Sequence, residues 1–208
     1  MGLFVTFEGG EGSGKSTQIT ILANRLSQKN IPYITTREPG GAPGAELIRE
    51  LLVKGEIDRW DGLSEALLLL AARRNHIEKT IKPALKAGKM VICDRFSDST
   101  MAYQGCGHGL GRDVIEALEN ASCTAFKPDL TIILDIGLET GLARSVSLGG
   151  DELRFEELDL EFHSVVRNAF IEIAEREPGR CKLIDGSQNI EVISEKIIGY
   201  ICSLIKIK

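Results

Sequence analysis

Several things are missing from this chain, and each absence removes a class of function. No uninterrupted apolar run approaches the length needed to cross a bilayer, so no membrane partner is expected. The five cysteines, at 93, 106, 123, 181 and 202, form no CxxC pair and are odd in number. Reduced, mostly buried thiols in a cytoplasmic protein are the expectation. There is no basic excess: the net charge of -5 argues against a dedicated nucleic-acid binder and confines any positive field to one local site. The opening stretch MGLFVTFEGG has no basic region, so no signal peptide is expected. Gly2 and Thr6 stand where a myristoylation motif would place them, but a strand begins there and the motif is discounted. Neither DxxG nor NKxD occurs, which removes the guanine-nucleotide switch. His108 and His163 suggest no ligand cluster, so no transition-metal site is expected. Arg74 and His76 read as surface positions without a role.

What is present begins at Gly9. Residues 9 to 16 read Gly-Gly-Glu-Gly-Ser-Gly-Lys-Ser, which is GxxxxGK[ST] with every fixed position filled. The motif follows an apolar run, Leu3 to Phe7, and opens a helical pattern in which Ile19, Leu22, Ala23 and Leu26 share one face. Strand, glycine loop and helix together distinguish a phosphate-binding loop from a chance match. Gly9, Gly10, Glu11, Gly12, Ser13, Gly14, Lys15, Ser16 and Thr17 are therefore the residues expected to bind a nucleoside triphosphate, which the resemblance given below makes ATP. The glycines let backbone N–H groups approach phosphate oxygens, Lys15 reaches the outer phosphates, and the Ser16 hydroxyl can hold Mg²⁺.

The rest of the chain alternates short β-branched runs with longer helical ones and contains no repeat or linker. That pattern predicts an α/β fold, a parallel sheet with helices on both faces, and 208 residues suffice for one such domain with a small lid. Strands are expected at Leu3–Glu8, Tyr33–Thr36, Met90–Cys93, Leu130–Asp135 and Lys182–Ile184. Further helices are expected at about 44–54, 63–80, 112–121, 138–147, 157–176 and 189–205. Pro83 and Gly88 are expected to end the third helix, and Pro178-Gly179 to end the one from 157. Each strand runs into polar residues: the loop at Gly9, Arg37-Glu38, Asp94-Arg95, Asp135, and Asp185-Gly186. In open α/β sheets ligands bind at the carboxyl ends of the strands, so these groups should converge on one cleft.

The cationic groups at those ends suggest a second substrate that carries phosphate. Arg37 ends one strand and Arg95 another; Arg49 follows on a helix, and Arg73 shares a face with Leu69 four residues earlier. A guanidinium matches phosphate oxygens bidentately, so converging arginines suit a monophosphate acceptor. A kinase acting on a small phosphorylated molecule is the reading. Glu8, just before the loop, fits either a site carboxylate or a structural strand end. No Ser/His/Asp or Cys/His arrangement is present, and none is needed when the acceptor is already an ionised phosphate.

Four segments, EGGEGSGKST, TREPGG, EALLLLAARR and DRFSDSTMAYQG, occur in one order and spacing from residue 3 to about 135. Together with a looser match through RFEELDLEFH, they make the chain resemble bacterial thymidylate kinase, a P-loop nucleoside monophosphate kinase. The resemblance implies transfer of the γ-phosphoryl of ATP to dTMP for dTTP supply. It also implies a three-layer fold with a five-stranded parallel sheet, a mobile lid at about 144–155 and a homodimer formed through helices. By the same resemblance Glu11 would accept the 3′-hydroxyl of dTMP. Arg37 and Arg95 would hold its phosphate, with Glu38 and Arg49 lining that pocket. Arg73, Thr100 and Gln104, helped by Ser99, would read the thymine edge, and Tyr103 would pack under the sugar. Ser16 and Asp94 would support Mg²⁺, and the segment after Asp185-Gly186 would lie near adenine.

Two departures stand out. Leu69 occupies the position where the family usually has a phenylalanine stacked on thymine, which suggests weaker acceptor binding or a roomier pocket. The stretch from Arg144 to Arg154 has basic residues only at its ends, with Asp151 and Glu152 between them. With an acidic Glu11 in the loop, Arg154 and secondarily Arg144 are expected to supply charge to the transferring group, alongside Lys15 and Arg95. The alternatives are another nucleotide or nucleoside kinase, and a nucleotide-binding regulator without turnover.

Overall fold

The computed structural model describes residues 2–56, 59–123, 126–148 and 159–207; of 146–148, 206 and 207 it describes the backbone alone. Five strands form one all-parallel sheet: β1 (Phe4–Glu8), β2 (Tyr33–Arg37), β3 (Met90–Asp94), β4 (Leu130–Asp135) and β5 (Cys181–Asp185). Their spatial order is β2-β3-β1-β4-β5. The chain leaves β1 at the centre of the sheet, with β3 paired on one side and β4 on the other. The carboxyl end of β1 is thus the point where the strand order reverses, and a crevice opens there. Register carries the polar ends to one rim: Arg37 lies opposite Asp94, and Asp135 opposite Asp185.

Alternation along the strands divides the core between two faces. Val5, Phe7, Ile92, Leu130, Ile132 and Leu134 pack under α1 (Lys15–Gln28), against Ile19, Leu22 and Leu26, and reach Ile193 and Ile197 farther along the chain. Phe4, Val91 and Cys93 point the other way, into a cluster with Leu70, Ile77 and Phe96. Each fully buried Phe, Leu or Ile contributes about 1.5–3 kcal/mol before chain entropy is counted. Helices α2 (Pro43–Val53) and α3 (Gly62–His76) pack against each other. Asp61 caps α3 by accepting from the N–H groups of Leu63 and Ser64.

The third helical stretch departs from expectation. It does not stop at Pro83: a π turn, Ile77–Ile81, follows α3, and α4 (Lys82–Lys86) continues beyond it. Pro83 stands in the first turn of α4, where a missing N–H costs little. Gly88, at φ 77°, terminates the segment as expected. A second departure is the stretch after β3, for which the sequence suggested no element. It forms α5 (Ser97–Thr100) and a π turn, Met101–Gly107, whose Met101, Ala102 and Tyr103 are buried. Beyond lie α6 (Arg112–Cys123), α7 (Leu138–Leu148), α8 (Leu160–Arg176) and α9 (Ile190–Ile207). Tyr103 packs on Phe162 and Phe170 of α8, so tertiary burial holds the segment helical despite its low intrinsic preference.

Candidate active site

At the end of β1 the glycine loop uses conformations that side chains would resist. Gly9, Gly12 and Gly14 have φ of 128°, 64° and 95°. A Cβ on Gly12 would also run into the Gly141 carbonyl of α7, so the loop and α7 pack backbone to backbone. Gly14 stands at the N-terminus of α1, whose free N–H groups favour an anion. Lys15 is turned back over its own loop: Nζ donates to the carbonyls of Gly9 and Gly10 at 3.0 and 2.9 Å. Burial, reinforced by the neighbouring Arg95 charge, lowers its pKa. Ser16 donates weakly to Asp94 Oδ2 at 3.4 Å, while the buried Asp94 Oδ1 has no partner among the described residues. A hydroxyl and a carboxylate with a spare buried oxygen fit a hard, oxygen-seeking cation such as Mg²⁺. Among the described residues no cluster of three or more His, Cys, Asp or Glu side chains forms a metal site.

A second group of side chains is built around Arg95. Its backbone adopts φ 64°, a left-handed conformation that costs a residue with a Cβ about 1–2 kcal/mol. The turn redirects the guanidinium toward the loop, where it donates to Gly9 O, Ser99 Oγ and, at 2.6 Å, Glu11 Oε1. Tyr103 donates to the same Glu11 oxygen at 2.9 Å, and Arg95 lies over the Tyr103 ring. Burial opposes ionisation of Glu11, but the Arg95 and Lys15 charges outweigh it and hold the carboxyl at about 2. Beneath sits Glu8, completely buried, accepting from the Phe96 N–H and the Ser99 hydroxyl. Burial, then the nearby Asp98 charge, pushes its carboxyl up to about 8.

Farther from the loop, Arg73 is 2 % exposed and pinned on three sides. It donates to Glu38 at 2.7 Å, Thr100 at 2.9 Å and Glu119 at 3.2 Å, and lies over the Phe96 ring. Burial disfavours its charge, yet the Glu38 and Glu119 carboxylates more than offset that and raise its pKa. Gln104 donates to Glu65, Arg49 to the Pro39 carbonyl and Arg37 to Glu46. Arg37, Arg49, Arg73, Arg95 and Gln104 face one cavity of about 910 Å³. It is lined by the loop from Glu11 to Thr17, Arg37, Glu38, Arg49, Leu69, Arg73, Asp94, Arg95, Ser99, Thr100, Tyr103, Gln104 and Arg144. Gly9 and Gly10 lie behind the loop instead and serve it through the carbonyls that hold Lys15. Arg154 lies outside the described residues.

A family model described as thymidylate kinase matches residues 7–197. The chain belongs to the thymidylate kinase family. The thymidylate kinases of Caulobacter vibrioides and Magnetococcus marinus are 51% and 49% identical to it over 196 residues. Those alignments cover 94% of this chain and 94% and 93% of the two relatives. A crystal structure of thymidylate kinase from Ehrlichia chaffeensis matches with a TM-score of 0.77 at 37% identity, covering 96% of this chain and 98% of that one. The five-stranded sheet and three-layer architecture are those of this kinase fold.

Beside the cavity, one sequence reading is corrected. His76 is not at the surface; it is fully buried, with Nδ1 2.9 Å from Glu38 and Nε2 2.7 Å from Thr36 Oγ1. Its spacing held the signal, because residues 69, 73 and 76 share one helical face. Arg74, by contrast, is exposed and pairs with Glu78. Three further residues acquire roles that no motif marked. Glu65 orients Gln104, Asp98 takes a bidentate contact from Arg180, and Asp135 takes one from Arg167. The partners in those three pairs lie 39, 82 and 32 positions apart, beyond the reach of any local pattern.

Proposed function

We propose that this chain transfers the γ-phosphoryl group of ATP to dTMP, giving dTDP and ADP for dTTP synthesis. The observation that carries this reading is the single cavity joining the glycine loop to Arg37, Arg95 and a base-sized end formed by Leu69, Arg73, Thr100 and Gln104. Phosphoryl transfer passes through a loose transition state, so alignment and charge stabilisation do most of the work. The loop N–H groups and the start of α1 cradle the donor. Lys15 exchanges its bonds to Gly9 O and Gly10 O for phosphate oxygens, and Arg37 and Arg95 hold the acceptor phosphate. Glu11, already ionised, accepts the 3′-hydroxyl of the sugar, with Tyr103 packed beneath. Ser16 and Asp94 would hold Mg²⁺, which when bound neutralises phosphate charge as the group moves. Arg144, on α7 at the cavity edge, and Arg154 supply lid charge from the segment at about 144–155.

A homodimer is part of this reading. Leu47 and Leu51 of α2 and Leu63 and Leu67 of α3 leave large apolar side chains in water, a pattern that marks association surfaces. So is a cytoplasmic setting, which the five unpaired thiols support. Among the described residues no helix is long and apolar enough to cross a membrane. The deciding experiment is a coupled ADP-release assay with ATP-Mg²⁺ and dTMP, dUMP, UMP, dGMP or thymidine in turn. Preferential turnover of dTMP is expected; absence of dTMP-dependent turnover refutes the proposal.

A further inference from the structure

We propose that His76 is a positioning residue for base recognition: its buried ring sets the Glu38 carboxylate, and Glu38 sets the Arg73 guanidinium that the acceptor base meets. The inference rests on the reading of this cavity end as the dTMP pocket, and adds a residue to it that no substrate touches.

A carboxylate only accepts hydrogen bonds, so the 2.9 Å contact between His76 Nδ1 and Glu38 Oε1 requires a proton on Nδ1. In the neutral ring Nε2 is then an acceptor, and the Thr36 hydroxyl 2.7 Å away supplies its donor. With both ring nitrogens engaged, the imidazole has one orientation. Glu38 is fixed in turn: Oε1 is taken by His76, and Oε2 accepts from Arg73 Nε at 2.7 Å. Arg73 is left with its outer nitrogens directed by Thr100 and Glu119. Among the described residues three of its five N–H groups are occupied, which leaves two for a further acceptor such as a base carbonyl. A group held this way discriminates a carbonyl from an amino group at the base edge, because the amino group brings a second donor to meet a donor.

The surroundings of the ring support a dedicated seat. The TREPGG turn closes directly over it: Gly41 has φ 79°, and a Cβ there would overlap both His76 Nε2 and Thr36 Oγ1. The π turn that follows His76 presents Thr80, whose hydroxyl donates to the Gly41 carbonyl at 2.7 Å and fastens the turn to the helix. The ring is 0 % exposed while Arg73 lines the cavity, so the influence of His76 on substrate passes through Glu38.

The test compares steady-state kinetics of wild type, His76→Gln, His76→Asn and Thr36→Val, varying dTMP and ATP separately. The Asn amide takes the place of Nδ1–H and keeps a donor for Glu38; the Gln amide reaches the Nε2 position and withdraws it. Losing a hydrogen bond to a charged group predicts a rise in KM for dTMP of about tenfold or more for His76→Gln. The rise should be under about threefold for His76→Asn, with KM for ATP unchanged in both. The kcat/KM ratio of dTMP over dCMP should fall for His76→Gln and not for His76→Asn. Unchanged dTMP KM in His76→Gln overturns the inference, as does a parallel change in kcat and both KM values, which a merely structural role would cause. If His76→Gln does not fold, Thr36→Val decides: a rise of about threefold in dTMP KM alone is expected, and none overturns the inference. Wild type inactive on dTMP would instead refute the function proposed above.

Discussion

Replacing Glu8 by Gln should make the protein more stable, and increasingly so as the pH rises. Glu8 ends β1 with no exposed surface, and its carboxyl is pushed from the usual 4.5 up to about 8, first by burial and then by Asp98. An acid whose folded pKa is raised binds its proton more tightly folded than unfolded. Its contribution is therefore most favourable below pH 4.5 and is lost as the pH climbs to 8. At 1.36 kcal/mol per unit, the loss for wild type between about pH 5.5 and 8.5 comes to about 3 kcal/mol. Gln imitates the protonated acid: it keeps an oxygen for the Phe96 N–H and turns an amide N–H toward Ser99 Oγ. Urea unfolding followed by circular dichroism at both pH values measures the difference between the two chains, in which titrations elsewhere cancel. The expected result is a variant advantage of about 1–2 kcal/mol at the lower pH that grows by about 3 kcal/mol at the higher one. A pH-independent difference, or a variant that loses ground as the pH rises, would refute the reasoning.

Three other expectations follow from single positions. Leu69→Phe restores a ring beside the base end, and stacking worth about 0.5–1.5 kcal/mol should tighten dTMP binding two- to tenfold by calorimetry; equal or weaker binding would mean that leucine shapes the pocket. Gly41→Ala combines a left-handed φ with overlap on His76 and Thr36. The expected cost of about 2–3 kcal/mol would appear as a Tm lower by roughly 5–10 °C in scanning calorimetry, and an unchanged Tm would contradict the packing described. Arg154→Ala should lower kcat by an order of magnitude or more with little change in KM for ATP, and a loss below about threefold excludes a role in stabilising the transferring group.

The parts read correctly from sequence are those whose physics is local. GxxxxGK[ST] after an apolar run needs only the strand, the turn and the helix start around it, and all three are present. Strands expected to end at Thr36, Cys93 and Asp135 end at Arg37, Asp94 and Asp135, where β-branched or apolar runs give way to charge. The misreadings have tertiary causes. Pro83 looked like a stop because the π turn that moves it into a first helical turn leaves no mark in composition. The stretch Ser97–Gly107, rich in serine, glycine and threonine, has little helical preference of its own and folds against α8. His76 looked like one more polar residue beside Arg74, until a turn more than thirty residues earlier in the chain closed over it.

The amino-acid sequence by itself determined the strand, glycine turn and helix start at residues 4–28, because that unit is made of consecutive backbone groups. It also determined which residue types would gather at the rim, because strands in a parallel sheet end together. Only the tertiary structure decided how the charged groups of the cavity are wired. Glu38 and Arg73 stand 35 positions apart, Glu38 and His76 38 apart, and Arg95 and Glu11 84 apart. Pairing them requires that β2, α3, β3 and the glycine loop already be packed. Once water is excluded there, each charge must find a partner, and the partner it finds sets the direction in which it faces a substrate.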